Sequence, residues 1–401
     1  MKILLIYPPF CPPTIMPYSI SYLKAFIETN TDIHAKALDL NVRFHQRFQS
    51  LENILPVYTS NNKQILNNQD PEGFDELKEL VRKENPDLLA FSLVYSSQVF
   101  YAKALIEALN IPAVQGGPAA SSHINARIIP DELKLLEYLG KNATRFIVQP
   151  DFSDLHPQEY FSPEPIYPVK TSHGCYYKMC AFCTHHKDES YMEIPIQLPE
   201  GKNFFFIDDM IPPKRLIEIA DQMPKNARWW AQLRPAKDLI PILPKLAGSG
   251  LKSIAWGVES GCQKMLNRMQ KGTQVQDIKQ VLATAKKEGI INTVYIIFGF
   301  PGETEEDFHE TIKFLKENSE NIDLISTSMF GLQKGSKVYN NPEAFGIEIR
   351  SETRTLLDDK ITYTPDPGNI RELRKKYKKT IENLNKYPKY YNLYKDQTLF
   401  L

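Results

Sequence analysis

The sequence predicts an α/β protein in two parts. An N-terminal Rossmann-like parallel-sheet domain (residues 1–150) precedes a partial (β/α)6 barrel of the TIM type (167–350), and a short helical C-terminal tail (351–401) follows. Two observations carry this. Apolar runs of strand length alternate with stretches apolar at helical spacing, which is the rhythm of parallel sheets covered by helices. The rhythm breaks at residues 151–166, where "DFSDLHPQEYFSPEPI" is rich in proline and acid and reads as a linker.

In the first series, "KILLIYPP" is a continuous apolar run ended by turn residues, as expected of a strand buried on both faces. "YSISYLKAFIETN" sets Ile20, Leu23, Phe26 and Ile27 on one helical stripe. "HAKALDLN" reads as a second strand. "PEGFDELKELVRKENP" reads as a helix with Phe74, Leu77, Leu80 and Val81 inward, "DLLAFSLVYSS" as a third strand and "QVFYAKALIEALN" as the next helix. "PAVQGGPAASS" is a short strand running into Gly116 and Gly117. The polar, Asn/Gln-rich stretch from Arg43 to Asp70 reads as an insertion.

In the second series the strands are "YPVKTS", "NFFFI", "RWWAQL", "KSIAWGV", "NTVYIIF" and "IDLISTSM". Between them lie the helical patterns "PKRLIEIADQM", "DLIPILPKLAGSG", "QDIKQVLATAKKEG" and "ETEEDFHETIKFLKEN", the last opened by a Thr-x-x-Asp cap. Such a barrel works at the loops that follow its strands. The tail, "RELRKKYKKTIENLNKYPKYYNLYK", is basic and rich in tyrosine and reads as a solvated helix packed on the barrel.

Lys plus Arg equals Asp plus Glu, at 48 each, so no global field draws nucleic acid or an acidic membrane. No apolar run has the roughly 20 residues of a membrane helix. Five cysteines, three of them clustered, do not make a disulfide framework; a reducing cytosol is expected. The cluster is "GCYYKMCAFCTHH", with Cys175, Cys180 and Cys183 directly after the first barrel strand. Zinc would use the three thiols and His185 or His186 as four closed ligands. A redox C-x-x-C pair would leave Cys175 without a role. An iron–sulfur cluster on three thiolates would leave one iron open for chemistry.

At these residues the sequence resembles the radical S-adenosylmethionine (SAM) enzymes. In that family a loop after the first barrel strand carries three cysteines, usually as C-x3-C-x2-C, with an aromatic residue before the last. Here the spacing is C-x4-C-x2-C, one residue longer, and Phe182 is the aromatic residue. The resemblance implies a [4Fe–4S] cluster on Cys175, Cys180 and Cys183, with SAM on the open iron. It extends over roughly residues 165–345 through further landmarks. Asp208 and Asp209 in "FFFIDDM" match the strand end that holds SAM's amino group. Glu259 and Ser260 in "WGVESG" match the element near the ribose and methionine. Ile297 and Gly299 in "YIIFGFPGETEEDF" match the element that flanks the adenine. Arg234 in "QLRP" stands where a SAM carboxylate or substrate partner is expected.

The N-terminal part resembles the cobalamin-binding domain of one branch of this family. The resemblance rests on "KILLIYPP", "AFSLVYSS", "AVQGGP" and "QPDFSDLHPQEYF", and it implies cobalamin contacts at Pro8, Ser92, Leu93, Gly116 and Gly117. The D-x-H-x-x-G lower-ligand motif and the G-E-x-E segment are absent from the sequence. The expected activity is cobalamin-dependent methyl transfer to unactivated carbon of a small molecule or peptide, fed by an electron donor such as flavodoxin or ferredoxin. Two alternatives stand beside it: a cobalamin-independent radical rearrangement or cyclisation, and a zinc-stabilised binding protein using the basic tail. Cys11 is expected as a buried thiol, and Cys262 at the start of a helix.

Overall fold

In a computed structural model the chain divides into two compact units. The first spans Met1–Pro165 with Arg354–Asp359, and the second spans Ile166–Thr353 with Lys360–Leu401. The structure describes all residues except 49–53, 185–189, 355–358 and 388–401.

The first unit is built on five parallel strands: β1 (Lys2–Tyr7), β2 (His34–Asp39), β3 (Leu88–Ser92), β4 (Ala113–Gly116) and β5 (Arg127–Ile128), in the order β2-β1-β3-β4-β5. The two-residue β5 is an edge strand that the sequence pattern did not mark. Ile3, Leu4, Leu5 and Ile6 are all fully buried, because helices cover both faces of the sheet. Those helices are α1 (Tyr18–Asn30), α2 (Leu40–Gln46), α3 (Ile54–Leu66), α4 (Phe74–Lys83), α5 (Val99–Leu109) and α6 (Glu132–Tyr138). The chain leaves β1 toward β2 and returns on the other side as β3. The β1/β3 pair is therefore the topological switch point, where open α/β sheets bind ligands.

Two expectations change here. Among its described residues the stretch 43–70 is mostly helical: it holds the end of α2 and all of α3, and Phe44, Ile54 and Ile65 are buried in the same core as Leu4 and Ile6. Residues 151–165 belong to the first unit and do not form a free linker. Their acids are gathered by Lys24, whose Nζ lies 3.0 Å from Asp151 and 2.8 Å from Asp154. Tyr160 donates its hydroxyl to Asp39 Oδ2 at 2.8 Å, while Asp39 Oδ1 caps α2 by accepting from Asn41 and Val42 N–H.

The second unit opens with β6 (Tyr167–Val169), followed by a small antiparallel pair, β7 (Ser172–His173) and β8 (Met192–Glu193). Then come β9 (Asn203–Phe206), α7 (Pro213–Gln222), β10 (Arg228–Leu233), α8 (Leu243–Gly248), β11 (Leu251–Glu259), α9 (Gln263–Arg268), α10 (Val275–Lys287), β12 (Ile291–Phe298), α11 (Glu305–Glu317) and β13 (Leu324–Met329). Six of these strands form one parallel sheet in chain order, β6-β9-β10-β11-β12-β13. Phe204, Phe206, Trp229, Ile254, Trp256, Val258, Val294, Ile296 and Phe298 share one buried core with the helices. Since side chains alternate along a strand, Phe205, Trp230, Gln232, Ala255, Gly257, Thr293, Tyr295 and Ile297 face the other way.

The last part begins with α12 (Lys337–Asn340), and a two-stranded sheet, β14 (Glu348–Arg354) and β15 (Asp359–Thr364), follows before α13 (Gly368–Glu382). The tail from 351 is thus not helical throughout. Arg374 of α13 donates to the Thr327 carbonyl at 2.7 Å and so pins the helix to β13.

Burial pushes Asp39 from its ordinary 3.8 up to about 6, against the hydrogen bonds from Tyr160, Val42 and Asn41 that pull it down. The folded state therefore holds this proton longer than the unfolded state. Stability contributed by the neutral acid is present below about pH 4 and is lost as pH rises through about 6. Asp39→Asn should lose this dependence. Denaturant unfolding should show the variant gaining on the parent by roughly 2 kcal/mol between pH 4 and pH 7, and parallel profiles would contradict the assignment.

Candidate functional site

The three clustered cysteines lie in a loop after β7. Gly174, at φ +70°, turns the chain out of the strand, a backbone conformation that glycine adopts without strain. From Gly174 to Thr184 the chain is neither helix nor strand. Cys175, Cys180 and Cys183 are part-exposed and in no disulfide. Burial pushes the Cys180 thiol up to about 11; Lys271 pulls it back, and Cys183, Glu259 and Cys175 push it further up. Cys175 and Cys183 thus lie within electrostatic reach of Cys180, although among the described residues no three such side chains already stand close enough to hold a metal ion. Together as thiolates they repel, and a soft cation bound among them removes that repulsion. His185 and His186, the candidate fourth ligands of a zinc site, lie outside the described residues.

Other segments hold this loop. Ala181 N–H donates to Met269 O at 2.8 Å, and Ala181 O accepts from Val338 N–H at 3.1 Å. Lys337 Nζ donates to Met179 O at 2.9 Å and to Gln270 Oε1 at 3.0 Å. Phe182 packs on a small apolar cluster of Ala181, Cys262, Met265, Met269, Phe300 and Phe330, and Ile297 packs on the same cluster. The expected aromatic of the motif and the expected adenine neighbour therefore pack on one cluster.

The two acids after β9 differ. Asp208 is buried, and its Oδ1 accepts from Thr171 N–H at 2.9 Å, Thr171 Oγ1 at 3.0 Å and Ser172 Oγ at 2.6 Å. It ties the chain end of β6 to that of β9. Asp209 stays part-exposed beside it.

Glu259 ends β11 at φ +67°, just after a register shift, and accepts a 2.8 Å salt bridge from Lys271, with both side chains at most a tenth exposed. A Cβ at Gly257 would stand 2.8 Å from both Glu259 Oε1 and Lys271 Nζ, so glycine there leaves room for the pair. Lys271 Nζ also lies 5.8 Å from the centre of the Phe182 ring. Arg234 Nη1 donates to the carbonyls of Lys271 and Gly272 at 3.3 and 3.2 Å. Phe182, Glu259 and Arg234 thus converge on Lys271, which the sequence pattern does not single out. Nothing in "RMQKGT" marks that lysine as buried.

Ser260 is turned inward: its Oγ meets Thr311 Oγ1 at 3.0 Å and accepts from Cys262 N–H at 3.1 Å, at the start of α9. Cys262 is buried with its sulfur 3.4 Å from Asp307. Gly299 has φ +76° and donates its N–H to the Glu303 carboxylate, which burial pushes up to about 7.

In the first unit, Pro8, Ser92 and Leu93 stand at the ends of β1 and β3, on the switch point. Pro8 O accepts from Gln98 Nε2 at 2.9 Å, Ser92 Oγ donates to Ser19 Oγ at 2.7 Å, and Leu93 bonds through its backbone to Gly116 and Ala119. The resemblance implies cobalamin contacts at the glycine pair. Here it is the neighbouring backbone that comes close. A Cβ at Gly117 would lie 2.5 Å from Leu93 O, and one at Gly116 would lie 2.9 Å from Ile129 O. Cys11 is buried and its thiol is held well above the ordinary range by that burial.

The Glu259–Lys271 pair supports a direct test. Lys271→Met leaves a buried carboxylate alone and should cost about 3–5 kcal/mol in denaturant unfolding. Lys271→Met combined with Glu259→Leu should recover most of that loss.

Residues 234–315 match the model of the Radical SAM superfamily. The bacteriochlorophyllide d C-12(1)-methyltransferase of Chlorobaculum tepidum is 32% identical over 193 residues, 42% of this chain and 41% of that relative. The match thus spans well under half of the relative's length. The radical SAM methyltransferase TsrM of Kitasatospora setae, solved with cobalamin and a [4Fe–4S] cluster bound, aligns with TM-score 0.59 at 15% identity over 92% of this chain and 84% of that chain. The cobalamin-dependent SAM radical enzyme OxsB aligns with TM-score 0.53 at 14% identity over 86% of this chain and 56% of that chain. At these identities the two structures speak for the fold. No helix among the described residues is long and apolar enough to cross a membrane. Within residues 234–315 the chain is thus similar to the radical SAM superfamily, and its fold as a whole is similar to those of TsrM and OxsB.

Proposed function

We propose that the protein is a radical SAM enzyme whose cluster sits on Cys175, Cys180 and Cys183, and that it transfers a methyl group to a small molecule or peptide with cobalamin on the first unit. The observation that carries the reading is three part-exposed cysteines, none of them in a disulfide, in one loop that follows β6 and β7 at the start of an open parallel barrel. That donor set suits a [4Fe–4S] cluster with one iron left for SAM. When bound, the cluster supplies an electron to the SAM sulfonium, and cobalamin supplies a methyl carrier.

The chain's own residues then have these parts. Phe182 and Ile297 offer the apolar wall for the adenine. Asp209, part-exposed beside the engaged Asp208, is assigned to SAM's amino group. Glu259, held by Lys271, is assigned to the ribose side of the site. Gly299 and Ser260 shape the strand ends that carry these groups. Pro8, Ser92, Leu93, Gly116 and Gly117 border the switch point where cobalamin would lie. An electron donor such as flavodoxin or ferredoxin would reduce the cluster, in the cytoplasm.

One observation favours a second reading, cobalamin-independent radical chemistry. All five of those first-unit positions meet neighbouring parts of the same unit: two through hydrogen bonds of their side chain or carbonyl, three through close backbone packing.

Anaerobic reconstitution with iron and sulfide should give a brown protein with about four irons per chain, and Cys→Ala at any of the three positions should abolish the colour. A colourless protein with one zinc would overturn the proposal. Incubation with SAM and a reductant should yield 5′-deoxyadenosine. S-adenosylhomocysteine beside it supports methyl transfer, whereas deoxyadenosine alone favours the second reading.

A further inference from the structure

The longer spacing between Cys175 and Cys180 has a structural counterpart. The four residues between these cysteines are Tyr176, Tyr177, Lys178 and Met179, and Lys178 adopts φ +56°, a left-handed conformation uncommon outside glycine. Just before it, Tyr177 leaves the loop and docks on the turn that follows α9. Its hydroxyl donates to Gln270 O at 2.9 Å. Its ring lies under the Arg234 guanidinium, with Cζ 4.0 Å from the ring centre. Arg234 in turn donates to the carbonyls of Lys271 and Gly272, so ring, guanidinium and turn form one stack. The turn is shaped to receive the tyrosine. Gly272 sits at φ +68°, and a Cβ there would stand 2.0 Å from the Tyr177 hydroxyl oxygen.

The same turn holds the loop again further along. Met269 O accepts from Ala181 N–H, between the second and third cysteines, and Gln270 shares Lys337 with the carbonyl of Met179. The residues flanking Cys180 are thereby fixed through one four-residue segment, Met269–Gly272. A cluster loop has no helix or sheet ladder to set its shape, so such outside contacts set where its thiols point.

We propose that Tyr177 is a positioning residue for the iron–sulfur site. In this account it clamps the longer cysteine loop onto the Gln270–Gly272 turn, and Arg234 acts through the tyrosine ring and does not serve as a SAM ligand. The inference rests on the functional reading above. It explains the extra residue of C-x4-C, because the longer loop lets a side chain reach the turn while Cys175 and Cys180 still face one cluster.

The test uses the full-length chain reconstituted anaerobically, as wild type, Tyr177→Phe, Tyr177→Ala, Gly272→Ala and the Tyr177→Ala/Gly272→Ala double variant. Cluster loss to a chelator is followed by absorbance, and the reduced cluster is recorded by EPR with and without SAM. Tyr177→Ala should lose its cluster roughly 10-fold faster than wild type, the scale of effect seen when an outer-shell partner of a metal ligand is removed. Its reduced-cluster EPR signal should broaden, while the melting temperature of the apo protein stays unchanged. Tyr177→Phe, which keeps the ring under Arg234 but loses the bond to Gln270 O, should fall between wild type and Tyr177→Ala. Gly272→Ala should resemble Tyr177→Ala, and the double variant should lose its cluster no faster than either single one. If Tyr177→Ala keeps wild-type cluster lifetime and EPR signal, this inference is overturned while the enzyme reading stands. If the wild-type chain takes up no iron, both are overturned.

Discussion

The residues from Gly174 to Thr184 have no ladder of their own, and the position of three thiols depends on how that loop is held. A metal-binding loop must wrap its ligands around one point, which a helix or strand cannot do over nine residues. Its buried polar groups then need partners elsewhere. Here they come from the turn after α9 and from the start of α12: Met269 and Val338 take the two backbone groups of Ala181, and Lys337 takes the carbonyl of Met179. The parallel sheet supplies those segments at one end, because each strand of a parallel series delivers its following loop to the same side. Even Asp208, expected at the ligand, serves this end by fastening Thr171 and Ser172 just ahead of the loop.

The buried pair of Glu259 and Lys271 extends the same logic. A lysine at most a tenth exposed is costly unless paired, and its partner stands at a strained, left-handed backbone position made possible by the register shift after Gly257. Lys271 also lowers the thiol pKa of Cys180 against burial. A positive group held beside the thiolate favours the form of cysteine that binds metal. Glycine at 257 and at 272 serves these contacts directly, one beside the ion pair and the other beneath Tyr177.

Local pattern carried most of the architecture. All six barrel strands, the Thr304 cap of α11 and the helix start at Cys262 follow from spacing within a few residues. The cysteine motif is local too, which is why its residues could be named. What escaped was long-range. Tyr177 meets Gln270 across 93 positions, and Glu259 meets a lysine in a segment that looks solvent-exposed in sequence. The acidic stretch 151–165 resembled a linker because nothing nearby marks Lys24 as the residue that gathers Asp151 and Asp154. The pair β14 and β15 escaped because "EIRSETR" and "DKITYT" are mostly polar, with only Ile349 in one and Ile361 and Tyr363 in the other to pack on the apolar cluster. The glycine pair 116–117 was located correctly, but its reason lies in the backbone of Leu93 and Ile129 beside it.

The central claim is that three thiols hold a four-iron cluster and leave one iron for SAM. Mössbauer spectroscopy of the 57Fe-reconstituted protein tests it most directly. The account predicts that adding SAM changes the isomer shift of one iron site in about four and leaves the other three as they were. A spectrum in which all sites stay unchanged with SAM would contradict it.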